Sequence, residues 1–202
     1  MTVTGDATSV AQNDTARLTF RVKTQARQAT TALDRNAARM HRVVAAIKAR
    51  GITAANIRTQ DVGLSRVRIK IGKHRHRHVY RAVNGVRVTI RPVEKTGAVI
   101  DAAVHAGATS VGDIDLSFSK ARELYRDALG DAFDDAKAKA QELADRADAT
   151  LGPAQTIDEG FQEDNTFSAP QARAPAGGTA PTPIEPGTTS VFAEVTVTFA
   201  LE

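Results

Sequence analysis

Apolar and polar residues alternate with period two in "DTARLTFRVKT", where Ala16, Leu18, Phe20 and Val22 share one face and Arg17, Thr19, Arg21 and Lys23 the other. Such alternation predicts a half-buried strand. The opening "MTVTGDATSV" is also strand-like, with Val3 set between polar neighbours ahead of Gly5. From about Arg27 to Arg50 the period lengthens. Ala29, Leu33, Ala37, Met40, Val43, Val44 and Ile47 recur at three and four, and Gly51 follows as a stop. That spacing predicts an amphipathic helix of about six turns.

Ile57 to Ile71 reads as a strand, with Val67, Ile69 and Ile71 opposite Arg66, Arg68 and Lys70. Gly72-Lys73 supplies a turn, and His74 to Arg91 the returning strand. Pro92 opens a second helix in which Val93, Ala98, Val99 or Ile100, Ala103 and Val104 are apolar, and Gly107 ends it. "TSVGDIDLSFS" predicts a strand with Ile114, Leu116 and Phe118 inward. The longest helix, from Lys120 to Ala149, turns Leu124, Ala128, Ala132, Ala136, Ala140, Leu143 and Ala147 to one side. So many small residues permit close approach to a sheet or a neighbouring helix. Gly152-Pro153 breaks the pattern, and "AQTIDEGF" resumes as strand. The closing "TSVFAEVTVTFALE" is strongly strand-like, and its apolarity predicts a central strand that pairs with an early one and brings the termini together.

The order β-β-α-β-β-α-β-α-β-loop-β predicts an α+β fold of mainly antiparallel sheet with three helices on one side. A chain of 202 residues, 42% hydrophobic, has enough apolar surface for one good core or two small lobes within a single domain spanning 1–202. Aromatics are only 4% and Trp is absent, so Val, Ile, Leu and Ala must build that core. Residues 163–187 hold five of the seven prolines, a composition that predicts a mobile loop or lid rather than core. The absence of Cys excludes a disulfide framework, a thiol nucleophile and Cys-based metal sites. No apolar run approaches a membrane span and no leader pattern opens the chain; the protein is cytoplasmic as it stands, or exported with its signal removed.

Charge changes the picture. Between Val62 and Val93 lie nine basic residues and no acidic ones, whereas the whole chain carries a net +4, so the remainder is net acidic. The hairpin is thus a basic arm, 62–93, on an acidic body. Its candidate partner- or anion-binding residues are Arg66, Arg68, Lys70, Arg75, Arg77, Arg81, Arg87 and Arg91. With Gly72-Lys73 as the turn, these form one cationic strip. The other face begins apolar at Tyr80, Ala82, Val86, Val88 and Ile90 and ends in His74, His76 and His78.

The run "HRHRH" invites a metal reading. On a strand, however, adjacent histidines stand about 6.6 Å apart and the outer pair about 13 Å. Zinc lies about 2 Å from each imidazole nitrogen, so only a neighbouring pair can share an ion without a bend. The segment supplies no carboxylate, and its arginines oppose a cation. Nucleic acid fits the charge but lacks stacking aromatics, since Tyr80 has the other parity. An acidic protein surface fits better, such as the Glu123, Asp127, Asp131, Asp134 and Asp135 of the long helix in another copy. Catalytic signatures are missing: there is no Gly-rich phosphate loop, no H-E-x-x-H and no G-x-S-x-G. His41 and His105 lie in helical patterns without a nucleophile, and Asp113 with Asp115 reads as an exposed edge.

Taken together, "VTGDA", "NDTARLTFRV", "ALDRNAARM", "IKARGI", "IRTQDVGLS", "YRAVNGVRVTI", "GAVIDAAVHAGA", "DALGDAFDDAKAKAQELA" and "IEPGTTSVFAEVTVTFAL" resemble, in order and spacing, the SIMPL-domain family of bacterial proteins. The chain departs from that pattern at Ala7 and around Asp148-Ala149, where glycines are usual, and at Asn13, where proline is usual. The resemblance implies a non-enzymatic protein without cofactors that self-assembles or binds a partner, commonly exported or envelope-associated and linked to stress tolerance. The family carries no catalytic motif, so none transfers, and the histidine run is not one of its hallmarks.

Overall fold

The structure, a computed structural model, describes residues 1–72, 75–160 and 182–202. Its elements in chain order are β1 (Thr2–Gln12), β2 (Thr15–Ala26), α1 (Ala29–Ala49), β3 (Ile57–Lys70), β4 (His76–Ile90), α2 (Thr96–His105), β5 (Ser110–Val111), β6 (Asp115–Ser117), α3 (Ala121–Arg146), β7 (Leu151–Glu159) and β8 (Thr188–Leu201). The α+β class with antiparallel sheets and three helices is as the sequence predicts. The chain divides into two compact units: a terminal unit of 1–13, 118–160 and 187–202, and a ribbon unit of 14–117 with 182–186.

In the terminal unit a three-stranded antiparallel sheet runs β1-β8-β7. The apolar β8 is central, and the N-terminal ammonium donates to Phe199 O at 2.6 Å, so the termini meet as predicted. The inward face of β8 (Val191, Ala193, Val195, Val197, Phe199) packs on Ala128, Ala132, Ala136 and Ala140 of α3. Alanine at every fourth position leaves a shallow groove, and β1 enters it at Gly5. A Cβ there would overlap Ala132 O and the main chain of Ala136, so the strand touches the helix backbone directly. Ala7, further along β1, has room for its methyl group.

The last turn corrects the predicted stripe. Ala144 is buried there, whereas Leu143 is 50% exposed and Ala147 is exposed. A stripe stepping by four continues to Ala144, and Leu143 lies about 100° away from it. The helix then ends in a Schellman-type cap, with Ala149 N–H donating to Ala144 O at 3.0 Å and Asp148 at φ +51°. The resemblance leads to an expected glycine at this place, and Asp148 instead holds a left-handed conformation with a Cβ. At Asn13, where proline is usual, the N–H donates to Gly187 O at 3.1 Å and Oδ1 accepts from Thr189 Oγ1 at 2.5 Å. Proline could make neither bond. β7 starts earlier than the sequence indicates, taking in Gly152 and Pro153 with an irregular register, which an edge strand tolerates.

In the ribbon unit the sheet order is β3-β4-β2-β5, with β6 also paired to β2. The predicted single strand around Ile114 is two short ones, and Ile114 is 38% exposed between them. The core joins Leu18, Phe20 and Val22 of β2, Val86, Val88 and Ile90 of β4, Met40, Val43 and Ile47 of α1, and Val99 and Ile100 of α2. The first half of α1 is rotated from the predicted stripe. Ala32 and Asn36 face inward, while Leu33 is 39% exposed and Ala37 is exposed. Asn36 is tolerated there because its amide donates to Val22 O at 2.8 Å and Ala82 O at 3.2 Å, tying α1 to two strands. Val104, predicted inward on α2, is 48% exposed.

The predicted mobile loop, 163–187, lies outside the described residues except for 182–187. Within that tail Ile184 packs on the core, and Thr182 bonds Asp101 through its main-chain N–H and its hydroxyl.

Candidate interaction surface

β4 pairs with β2 only as far as Tyr80 opposite Ala26. Beyond Tyr80 the β3–β4 hairpin continues with no third strand among the described residues, which is what makes it an arm. Its register decides which residues share a face. Arg66 lies opposite Tyr80, Arg68 opposite His78 and Lys70 opposite His76, whereas Ser65 faces Arg81 and Ile69 faces Arg77. Directly opposed residues project to the same side. Arg66, Arg68 and Lys70 therefore stand with the histidines, and Arg75, Arg77 and Arg81 are on the reverse face. The single cationic strip is thus corrected to a ribbon basic on both sides.

The physical cause is one residue in the connection. Ile71 N–H donates to Arg75 O at 2.9 Å, so three residues, not two, separate the paired positions. A slip of one residue moves every β3 side chain to the other face. A bulge between Thr59 and Asp61 cancels the slip near the core, where Ile57 again pairs with Val88 as a two-residue turn would require.

The candidate cations separate accordingly. Arg66, Arg68, Lys70, Arg75 and Arg77 cluster at the exposed end. Arg81, half-buried, lies opposite Gln25, whose amide oxygen accepts from its guanidinium at 3.2 Å when turned toward it. Arg91 donates from Nε to Thr15 Oγ1 at 2.7 Å, so it serves the body of the sheet. Arg87 lies opposite both Thr19 and Arg58 and lines a cavity of about 200 Å³ with Arg17, Asp113 and Asp115. Arg17 and Asp115 approach to 3.7 Å. Arg17 and Arg58 are thus cations that a search confined to the acid-free window misses; the only sequence signal for Arg17 was the polar face of β2. On the same face Arg21 Nε reaches Asp61 Oδ2 at 3.3 Å across Gly85, where a Cβ would overlap the carboxylate.

Lys73 and His74 lie outside the described residues. His76 and His78 are exposed and flanked by cations, and Arg68 Nη2 lies 3.1 Å from His76 Nδ1. In that bond the neutral imidazole is the acceptor, so ligation of a metal through Nδ1 competes with it. Among the described residues no three His, Asp or Glu side chains converge as a metal site would require. His105 bonds Asp101 O at 2.7 Å within its own helix.

The acids of α3 are partly committed. The Lys120 ammonium, 2.9 Å from Glu123, holds that carboxyl below its ordinary range. Lys139, at 2.6 Å, and the Asp6 amide do the same for Asp135. Glu159 accepts from Tyr125 at 2.7 Å and pushes the phenol up.

A family profile described as SIMPL, a protein of unknown function (DUF541), matches residues 1–199. The chain belongs to the SIMPL family. Among its relatives is the uncharacterized protein YggE of Edwardsiella ictaluri (strain 93-146), 32% identical over 159 residues, 76% of this chain and 64% of that protein. YggE of Escherichia coli (strain K12) is 31% identical over 76% of this chain and 62% of its own length. The 26 kDa periplasmic immunogenic protein of Brucella melitensis biotype 1 is 27% identical, covering 78% of this SIMPL chain and 65% of the relative. The match spans just under two thirds of each of these proteins. Among the described residues no helix is long and apolar enough to cross a membrane.

Proposed function

We propose that this SIMPL protein acts without catalysis, by self-assembly or by binding an acidic protein surface through the β3–β4 ribbon. The observation that carries the reading is the ribbon end. Arg66, Arg68, Lys70, Arg75 and Arg77 stand exposed on two strands that pair with no third among the described residues, in a window free of carboxylates. Clustered like charge is costly to hold together, and an acidic surface offsets that cost on binding. The periplasm is the proposed compartment, because the Brucella relative is named for it; a part in envelope stress tolerance accompanies that placement.

Light scattering of the purified chain at low and high salt tests the reading. A salt-sensitive oligomer, or a salt-sensitive complex with an acidic protein, is the expected result. A monomer at both salts with no such complex overturns it.

A second reading has its own observation. Arg17, Arg58 and Arg87 gather on the sheet face where β2 and β4 expose their polar residues, an arrangement suited to anions or a nucleic-acid backbone. A gel shift with random oligonucleotides tests it, and no salt-sensitive shift at micromolar protein removes it.

A further inference from the structure

We infer that copies of this chain assemble edge to edge, the β3 edge of one copy pairing with the β7 edge of the next. The inference rests on the self-assembly reading and names its interface. Among the described residues β3 and β7 are each the outermost strand of their sheets. An uncovered outer strand presents a row of unpaired N–H and C=O groups that another strand can take up.

The third long edge, β1, is partly closed. Asp6 N–H donates to Asp135 Oδ2 at 3.0 Å, and Lys139 Nζ donates to Thr4 O at 3.3 Å, so two side chains of α3 occupy its main-chain groups. Among the described residues no side chain does this for β3 or β7.

The two open edges are complementary. β3 carries Arg58, Arg66, Arg68 and Lys70 against Asp61 alone, and β7 carries Asp158 and Glu159 with no basic residue. Pairing β3 with another β3 would oppose like charges. Each edge also exposes aliphatic side chains that neither helix layer covers. Val62 is 66% and Leu64 43% exposed on β3, and Ile157 is 59% exposed on β7.

Beside β3 the fold leaves a place to be filled. α1 packs chiefly on β2 and β4, and a cavity of about 370 Å³ opens among Met40, Val44, Thr59 and Asn84. The Asn84 Oδ1 there is buried without a hydrogen-bond partner. Gln155, near Ile157 on the incoming strand, carries a donor for it. Because the two edges differ, the contact is heterologous: each added copy offers a fresh β3 or β7, and assembly passes beyond the dimer.

The chain has no cysteine, so single-cysteine variants report only contacts between copies. Val62→Cys and Ile157→Cys proteins are mixed and treated with a short bifunctional maleimide. The mixture is expected to give a cross-linked dimer at least several-fold faster than either variant alone. The pair Asp158→Lys, Glu159→Lys is expected to lower the wild-type mass, and mixing it with Arg66→Glu, Arg68→Glu to restore association. A wild-type chain that sediments as a monomer sinks the assembly reading and the interface with it. A wild-type oligomer in which Val62→Cys links to itself as fast as to Ile157→Cys, or in which no 62–157 product forms, overturns the interface alone.

Discussion

The two units solve one problem, a helix laid on an antiparallel sheet, with opposite materials. The terminal unit brings α3 so close that Gly5 lies against the backbone of Ala132 and Ala136, and its helix contributes little but methyl groups. The ribbon unit spaces its layers with Phe20, Leu18, Met40 and Ile47, and fixes the helix with the two bonds of Asn36. Contact area comes from proximity in one and from side-chain volume in the other. The first should therefore be sensitive to added atoms, the second to lost ones.

Each unit holds one of the chain's two tyrosines, Tyr125 and Tyr80, so their spectroscopic signals separate the units. The largest expected effect is at Phe20, which is fully buried. Phe20→Ala should cost about 3–5 kcal/mol and lower protection from hydrogen exchange first in the ribbon unit; equal loss in both units would show that they do not differ as described. Gly5→Ala adds a single carbon yet should cost about 1–3 kcal/mol, seen as a lower Tm with the Tyr125 signal changing first. A neutral outcome would mean that α3 can retreat from β1, and the contrast in tolerance would fail.

Smaller and opposite in sign is Asp148→Gly. It relieves the left-handed residue at the end of α3 and should stabilise by up to about 1 kcal/mol in thermal unfolding. No gain would indicate that the aspartate side chain already compensates for its conformation.

The smallest effect is electrostatic and belongs to the terminal unit. Asp135 is held below its ordinary value of 3.8 by Lys139 and the Asp6 amide, and Lys139 is held above 10.5, chiefly by Asp135. A depressed carboxylate contributes fully above its unfolded value, and the contribution is lost as pH falls through the lower folded one. A raised lysine contributes below its unfolded value and loses that contribution as pH rises through the folded one. The β1 edge should therefore be pinned across neutral pH and released only as pH falls below the ordinary carboxylate value of 3.8. Hydrogen exchange at Asp6 N–H, compared at pH 3 and pH 6, measures it. The difference should shrink in high salt, because these groups are exposed.

Most of the architecture was legible because it follows from local periodicity. The strands around Leu18 and Val195, the three helices, the centrality of β8 and the meeting of the termini all rest on patterns of two and four. The surface was harder to read. Leu33 and Ala37 fit a helical stripe as well as Ala32 and Asn36 do, and only satisfied partners on β2 and β4 make a buried asparagine acceptable. Leu143 is the more apolar residue, yet Ala144 is buried, since a methyl fits where the helix nearly touches its sheet.

Composition and spacing by themselves determined an α+β chain of the SIMPL type, rich in small residues and carrying an acid-free arm. Only the tertiary structure decided how that arm presents its charge. A three-residue connection reversed the faces of β3 at its tip, and a bulge near Thr59 restored them at the core. Side-chain direction on a strand depends on counting every residue from a fixed pair, and that pair is set by the hydrogen bonds between strands. The same bonds decided which edges stay open, because a main-chain group is available to a second molecule only where the fold has not already supplied its partner.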